Sequence, residues 1–244
     1  MKNRYRLITL TFLLLSACSN QETVTSPNHD HTKTIGNFSA DTTAIQSKDL
    51  SLNPAKGQEI GLVYEAFLSP HQEPGEESDT PSITPKQFLS TAPSLLRNDR
   101  KSKGHGFVRF SKDLSKVYVD VKVDGVNYQD IVMFHIHCGK PDMLGPILID
   151  FSNSGDIKKN FEDGIFSVEV SNRDIEKVVS DSSGMLEGFL SGCPINPGLP
   201  DKVKTIAGMK HVALRDELYF NLHTKGQTFY GDIRGQLRLV EEKK

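Results

Sequence analysis

Hydrophobic and polar residues alternate along several short runs of this chain, and the period is two. The clearest run is 116–123, Lys-Val-Tyr-Val-Asp-Val-Lys-Val. Strict alternation buries one face of a strand and leaves the other wet, which is the mark of an antiparallel strand in a sandwich. Runs of strand composition recur at 61–68, 106–110, 131–137, 146–151, 164–170, 185–190, 217–223 and 231–240. Ser111 to Leu114 reads as a hairpin turn, and Lys225-Gly226-Gln227 as the turn joining the last two strands. Two stretches carry helical spacing. One is 172–179, with Asn172 as its cap; the other is 200–209, with Val203, Ile206 and Ala207 on one side and Gly208 near its end. Pro81, Pro85 and Pro93 interrupt any long element between 75 and 103, which reads as a surface insertion with a short helical turn inside 86–96. Short strands punctuated by Gly and Pro predict an all-β, Greek-key-like antiparallel sandwich with short helical connections, spanning 60–240.

Successive strand residues face opposite sides, so His135 and His137 share a face while Phe134 and Ile136 occupy the other. His223 lies in a second strand-like run and joins the pair if the two strands are neighbours. Three imidazoles suit copper, zinc or nickel and leave one coordination position open. Each metal-bound ring then needs a partner for its second nitrogen, for which Asp130, Glu73, Asp232 or a carbonyl are the candidates. The alternative is three buried polar residues satisfied by backbone groups. Arg234, between two glycines, is a bidentate clamp for carboxylate or phosphate, or an internal strut held near Asp232 or on loop carbonyls. Gly231 and Gly235 permit a bulge or close packing. Asn221 and Thr224 are expected to bond to turns, and His105 and His211 to sit exposed in loops.

The N-terminus changes the picture of where such a domain works. Lys2, Arg4 and Arg6 precede an apolar run from Leu7 to Leu15, and Leu15-Ser16-Ala17-Cys18 resembles the bacterial lipobox. Residues 1–17 are therefore expected to be a lipoprotein signal peptide and Cys18 the acylated residue, anchoring the protein outside the cytoplasm, at the outer membrane if the host has one. Residues 18–59 are rich in Ser, Thr, Asn and Gln and read as a disordered tether; His29-Asp30-His31 lies in it. The remaining cysteines, Cys138 and Cys193, pair in an oxidising compartment if their Cα atoms come within range. Two separate buried thiols, or Cys138 as a soft ligand beside His137, are the other readings. A net charge of -2 with 25% charged residues gives no electrostatic case for nucleic acid. No Gly-x-Ser-x-Gly elbow, phosphate-cradling loop or spaced acid pair speaks for catalysis, and a thiolate role for Cys138 lapses if it is bridged.

The order of pieces resembles the CHRD domain, the module named after chordin. The residues that carry the likeness are Ala66-Phe67-Leu68-Ser69 with Gln72-Glu73-Pro74, Gly106-Phe107-Val108, His135-Ile136-His137-Cys138-Gly139, Gly145-Pro146-Ile147-Leu148, the run 217–224 and Gly231-Asp232-Ile233-Arg234-Gly235-Gln236-Leu237. The resemblance covers about 60–239. It implies an extracellular binding or scaffold module for an envelope or extracellular protein or glycan, without a general enzymatic activity. The insertion is long for that family, Asp232 stands where Glu is usual, and Cys138 occupies a variable position, so the family implies no disulfide. A weaker likeness is to copper/zinc superoxide dismutase, a sandwich in which a His-x-His strand and a later strand histidine bind copper; His135, His137 and His223 take those parts. No bridging histidine or zinc loop is matched.

Overall fold

The computed structural model describes residues 59–181, 191–195 and 201–242. The expected signal peptide, Cys18, His29 to His31, most of the tether and the strand-like run 185–190 lie outside the described residues. Among the described residues nine strands form two antiparallel sheets. β1 (Ile60–Leu68), β2 (Lys103–Ser111), β3 (Lys116–Asp124), β6 (Ile165–Ser171) and β9 (Arg238–Glu242) make the first, in the order β6-β3-β2-β1-β9. β4 (Ile131–Cys138), β5 (Ile147–Asp150), β7 (Leu218–Thr224) and β8 (Ile233–Gln236) make the second, in the order β5-β4-β7-β8. The chain changes sheet between β3 and β4, between β5 and β6, between β6 and β7, and between β8 and β9, so the expected Greek-key-like sandwich is the observed architecture.

The two sheets meet through the apolar halves of their alternating strands. Phe134 and Ile136 of β4 and Leu218, Phe220 and Leu222 of β7 face Val108, Phe110, Val119 and Val121 across the core. Phe134 is the hub, with ring centroids 4.8 to 5.7 Å from Phe151, Phe161, Phe166 and Phe220. Truncating so central a ring costs about 3–5 kcal/mol, from lost transfer energy plus the cavity left behind. Among the described residues three short α-helices accompany the sheets: α1 (Ile157–Asn160), α2 (Asn172–Ser180) and α3 (Ile206–Ala213). Ile175 and Val178 of α2 and Ile206, Met209 and Val212 of α3 are buried.

Several expectations are corrected. The run 231–240 is two strands in different sheets: the ladder of β8 ends at Gln236, Leu237 turns into the core, and β9 pairs with β1. A period-two pattern reads the same on either side of such a crossover, so the switch leaves no trace in it. The connection from β7 to β8 is a loop over 225–232 rather than a three-residue turn. Helix α2 is capped by Ser171, whose backbone and side chain both bond Asp174; Asn172 instead accepts from Ile206 N at 2.8 Å and ties α3 to α2. Helix α3 begins later than the spacing suggested, because Thr205 caps it through Gly208 N. His105 is in β2, not a loop, and is buried against Phe67 with ring centroids 4.5 Å apart. His211 is exposed as expected, but on α3.

Cys138 and Cys193 form a disulfide, with Cα atoms 5.9 Å apart. The bridge lies on the inward face of β4 and settles the fate of both thiols: Cys138 is neither a metal ligand nor a nucleophile. Closing a loop over a separation of 55 residues contributes about 3–4 kcal/mol in the chain-entropy account.

Candidate metal centre

The outward face of the second sheet departs from the usual sandwich. Alternation places Asp150 of β5, His135 and His137 of β4, Tyr219, Asn221 and His223 of β7, and Arg234 and Gln236 of β8 on that face. The ladder sets His135 between Asp150 and Asn221, and Asn221 beside Arg234. Such a polar row belongs in water, yet His135, His137 and His223 are only 3%, 8% and 4% exposed and Arg234 is 1% exposed.

Two segments cover it. The loop 139–146 is pinned by the row itself: Arg234 donates to Met143 O and Lys140 O, each at 2.8 Å, and Gln236 Nε2 donates to Gly139 O at 3.0 Å. Gly145 N donates to the Tyr219 hydroxyl at 3.0 Å. A side chain at Gly145 would strike the carbonyl of Cys138, so the close return of this loop needs glycine. The second cover is the strap 69–102, which takes in most of the insertion read at about 75–103. Glu77 reaches under the β7–β8 loop and accepts from the successive amides of Thr228, Phe229 and Tyr230 at 3.1 to 3.2 Å. Arg100, also buried, donates to Gly231 O and Asp232 O.

One ring nitrogen from each of His135, His137 and His223 lies within 4.8 Å of the others. Their partners fix which nitrogens face inward. His137 Nδ1 sits 2.9 Å from Gly145 O and His223 Nδ1 sits 2.9 Å from Thr228 O. A carbonyl only accepts, so both Nδ1 atoms carry the proton and both Nε2 atoms keep a lone pair. His137 Nε2 is 3.3 Å from His135 Nδ1, while His223 Nε2 is buried with no hydrogen-bond partner. Two nitrogens bound tetrahedrally to one ion at 2.0–2.1 Å are about 3.3 Å apart, so the first pair is already at ligand spacing. The second nitrogen of His135 lies 3.7 Å from Asp150 Oδ1. When His135 Nδ1 gives up its proton to serve as a donor, Nε2 takes one and turns it toward that carboxylate, the usual outer partner of a metal-bound imidazole.

The electrostatics favour neutral rings. Burial holds the pKa of His135 and His137 well below the usual histidine range, and the neighbouring imidazoles push in the same direction. His223 is lowered to about 4, again chiefly by burial, against the opposing pull of its bond to Thr228. Neutral imidazole is the form that binds a metal, so the site is set for one at neutral pH.

Of the residues singled out in the sequence, the structure brings together His135, His137 and His223 and puts Asn221 and Arg234 in the same face. Arg234 is a strut on loop carbonyls, and its guanidinium also lies 3.5 Å over the Tyr219 ring, which stacks on His137 at 5.1 Å. Asn221 bonds to the turn carbonyl of Tyr230. The suggested outer carboxylates are elsewhere: Asp130 pairs with Lys225, and Asp232 stands near Arg100 and Ser102. Glu73 is buried with both oxygens unpaired, and desolvation drives its carboxyl well above the usual range despite the nearby Arg234 and Arg100. It lies beside the unpaired Asn221 Oδ1, under Gly231, whose φ of +105° and lack of a side chain leave room for both groups. The sequence reading missed Asp150, Thr228 and Tyr219. Asp150 was discoverable, because an acid closing the strand after the His-x-His strand falls opposite His135 in an antiparallel pair; Thr228 acts through its carbonyl, which side-chain identity does not encode.

A search of curated proteins returns no match, and neither does a search of solved structures. A family model, the CHRD domain, matches residues 88–237, which takes in every strand of the second sheet and all three histidines but leaves β1 and Glu73 outside. The match covers more than half of the 244 residues, and on that ground, together with a sandwich that holds the family's two histidine motifs on one face, the chain belongs to the CHRD domain family.

Proposed function

We propose that this CHRD domain is a metal-binding module that holds one copper or zinc ion on His135, His137 and His223, in the cell envelope outside the cytoplasm. The observation that carries the reading is the buried, unpartnered Nε2 of His223, aimed at two further imidazole nitrogens whose own spacing suits one ion. A buried ring nitrogen without a partner costs free energy unless something binds it. The disulfide supports an oxidising compartment, and the lipobox-like Cys18 supports attachment to a membrane through an N-terminal lipid. Among the described residues no helix is long and apolar enough to cross a membrane. Binding, storage or delivery suits three closed-in imidazoles better than turnover does. The test is metal analysis of protein purified from its native compartment. Wild type is expected to carry about one ion per chain and a His135→Ala/His137→Ala variant none; equal, near-zero metal in both ends the reading.

A second reading, a docking or scaffold role toward an envelope protein or glycan, is favoured by the strap. Ile83, Leu95 and Leu96 on it are largely exposed, and Ala92, Pro93 and Leu95 line an open cavity of about 270 Å³ with Arg100, Gln227 and Asp232.

A further inference from the structure

The donor set is uncharged, and that decides more than geometry does. Three imidazoles bring no negative charge, so a bound ion keeps its whole charge within the site. The rings are buried, and the cost of an ion in a poorly polarisable surrounding grows with the square of its charge, making a dication about four times as costly as a monocation. Compensation is scarce. Among the described residues the carboxylate oxygen beside the rings is Asp150 Oδ1, 3.7 Å from His135 Nε2, and its side chain is 32% exposed, so water screens it. Asp130 is spent on Lys225. Meanwhile a fixed cation stands close by: the Arg234 guanidinium lies on the Tyr219 ring, and that ring lies on His137.

Coordination number points the same way. Zinc completes a tetrahedron with a fourth ligand. Here neither Cys138 nor Cys193 is available as that ligand, since both sulfurs are locked in their bridge on the opposite face of β4. Loop 139–146 closes over His137 through the Gly145 carbonyl and leaves that ring 8% exposed. Monovalent copper carries half the charge and is content with three nitrogens.

Resting on the three-imidazole reading, we infer that this centre selects monovalent copper over zinc and over divalent copper, with the shortage of negative charge around His135, His137 and His223 as the selecting feature. Cu(I) affinity is measured on the full-length metal-free protein, without oxygen, by competition with bicinchoninate under ascorbate. Zn(II) and Cu(II) affinities are measured with chromophoric chelators and no reductant. Cu(I) is expected to bind at least about a thousandfold tighter than either dication. The copper-loaded protein should stay silent in electron paramagnetic resonance after exposure to air. Asp150→Asn, which keeps the acceptor for Ser152 N and removes the charge, should weaken Zn(II) at least about tenfold more than Cu(I). Should that variant fail to fold, the wild-type ratio decides alone. Zn(II) or Cu(II) bound as tightly as Cu(I), at one ion per chain and lost in His223→Gln, overturns the selectivity and leaves the centre standing. Failure of all three ions to bind stoichiometrically overturns both.

Discussion

Two buried histidine environments sit on the outward faces of the two sheets, and they are built in opposite ways. On the first sheet, His105 puts Nε2 2.6 Å from Glu65 Oε1 and lays its ring on Phe67. It has its own carboxylate and its own stacking partner, and its Nδ1, although buried without a hydrogen-bond partner, converges with no second imidazole among the described residues. On the second sheet, two histidines spend Nδ1 on a backbone carbonyl, and the freed nitrogens converge with a ring nitrogen of His135. Burial alone therefore says little about a histidine's role. What separates a structural ring from a ligand is where the second nitrogen points once the first has been satisfied.

The comparison is broken most directly by substituting one ring on each sheet. His223→Gln is expected to abolish stoichiometric metal binding, a loss of about a thousandfold or more in affinity, while His105→Gln leaves the metal content at wild type. Metal retained in His223→Gln, or lost in His105→Gln, would reverse the assignment. The next effect concerns the inward side of the same strand that carries His135 and His137. Cys138→Ser/Cys193→Ser is expected to lower unfolding free energy by about 3–4 kcal/mol in denaturant titrations. It should do so while leaving one ion bound per folded chain, since neither sulfur faces the centre.

Acid sharpens the contrast further. The pKa values of His135, His137 and His223 are depressed in the fold, so above about pH 6.5 these rings are neutral in both folded and unfolded chains. Below that pH the unfolded chain takes up protons that the folded one refuses. Stability of the metal-free protein should then fall by up to about 1.4 kcal/mol per pH unit for each ring. His223 stops contributing once it too protonates, near pH 4. Bound metal should shift the onset of acid unfolding downward, and His135→Gln should remove one ring's share of the slope. A slope unchanged in that variant would contradict neutral burial. The smallest effect belongs to the strap. Glu77→Gln weakens the charge-assisted bonds to the amides of Thr228, Phe229 and Tyr230, which hold the carbonyl that orients His223. A stability loss of about 1–2 kcal/mol is expected in denaturant titrations, and a weaker metal affinity in the competition assay.

Most of the sandwich was legible because its strands obey a period of two, and the same period put His135 and His137 on one face. The convergence of His223 followed from strand neighbourhood, which the order β5-β4-β7-β8 supplies. Hidden from the sequence were features written in the backbone. The carbonyls of Gly145 and Thr228 set the tautomers, and the crossover at Leu237 divides a continuous apolar run. His105 was misplaced because Gly104 and Gly106 on either side suggest a loop. In the fold both glycines lie flat in β2, where a side chain at Gly106 would press on Val121 and Phe220. The reach of the strap over the sheet was equally invisible, since Glu77 grips main-chain amides some 150 residues away and no side-chain pattern announces them.

That grip has a consequence for evolution of the module. The carboxylate of Glu77 occupies a cradle of three consecutive amides at the mouth of the turn following β7, a place where many proteins hold a free anion. Because the occupant is part of the chain, the alignment of His223 is inherited with the strap. Lengthening or trimming that one surface excursion would therefore shift the His223 ring relative to His135 and His137 without changing any of the three histidines.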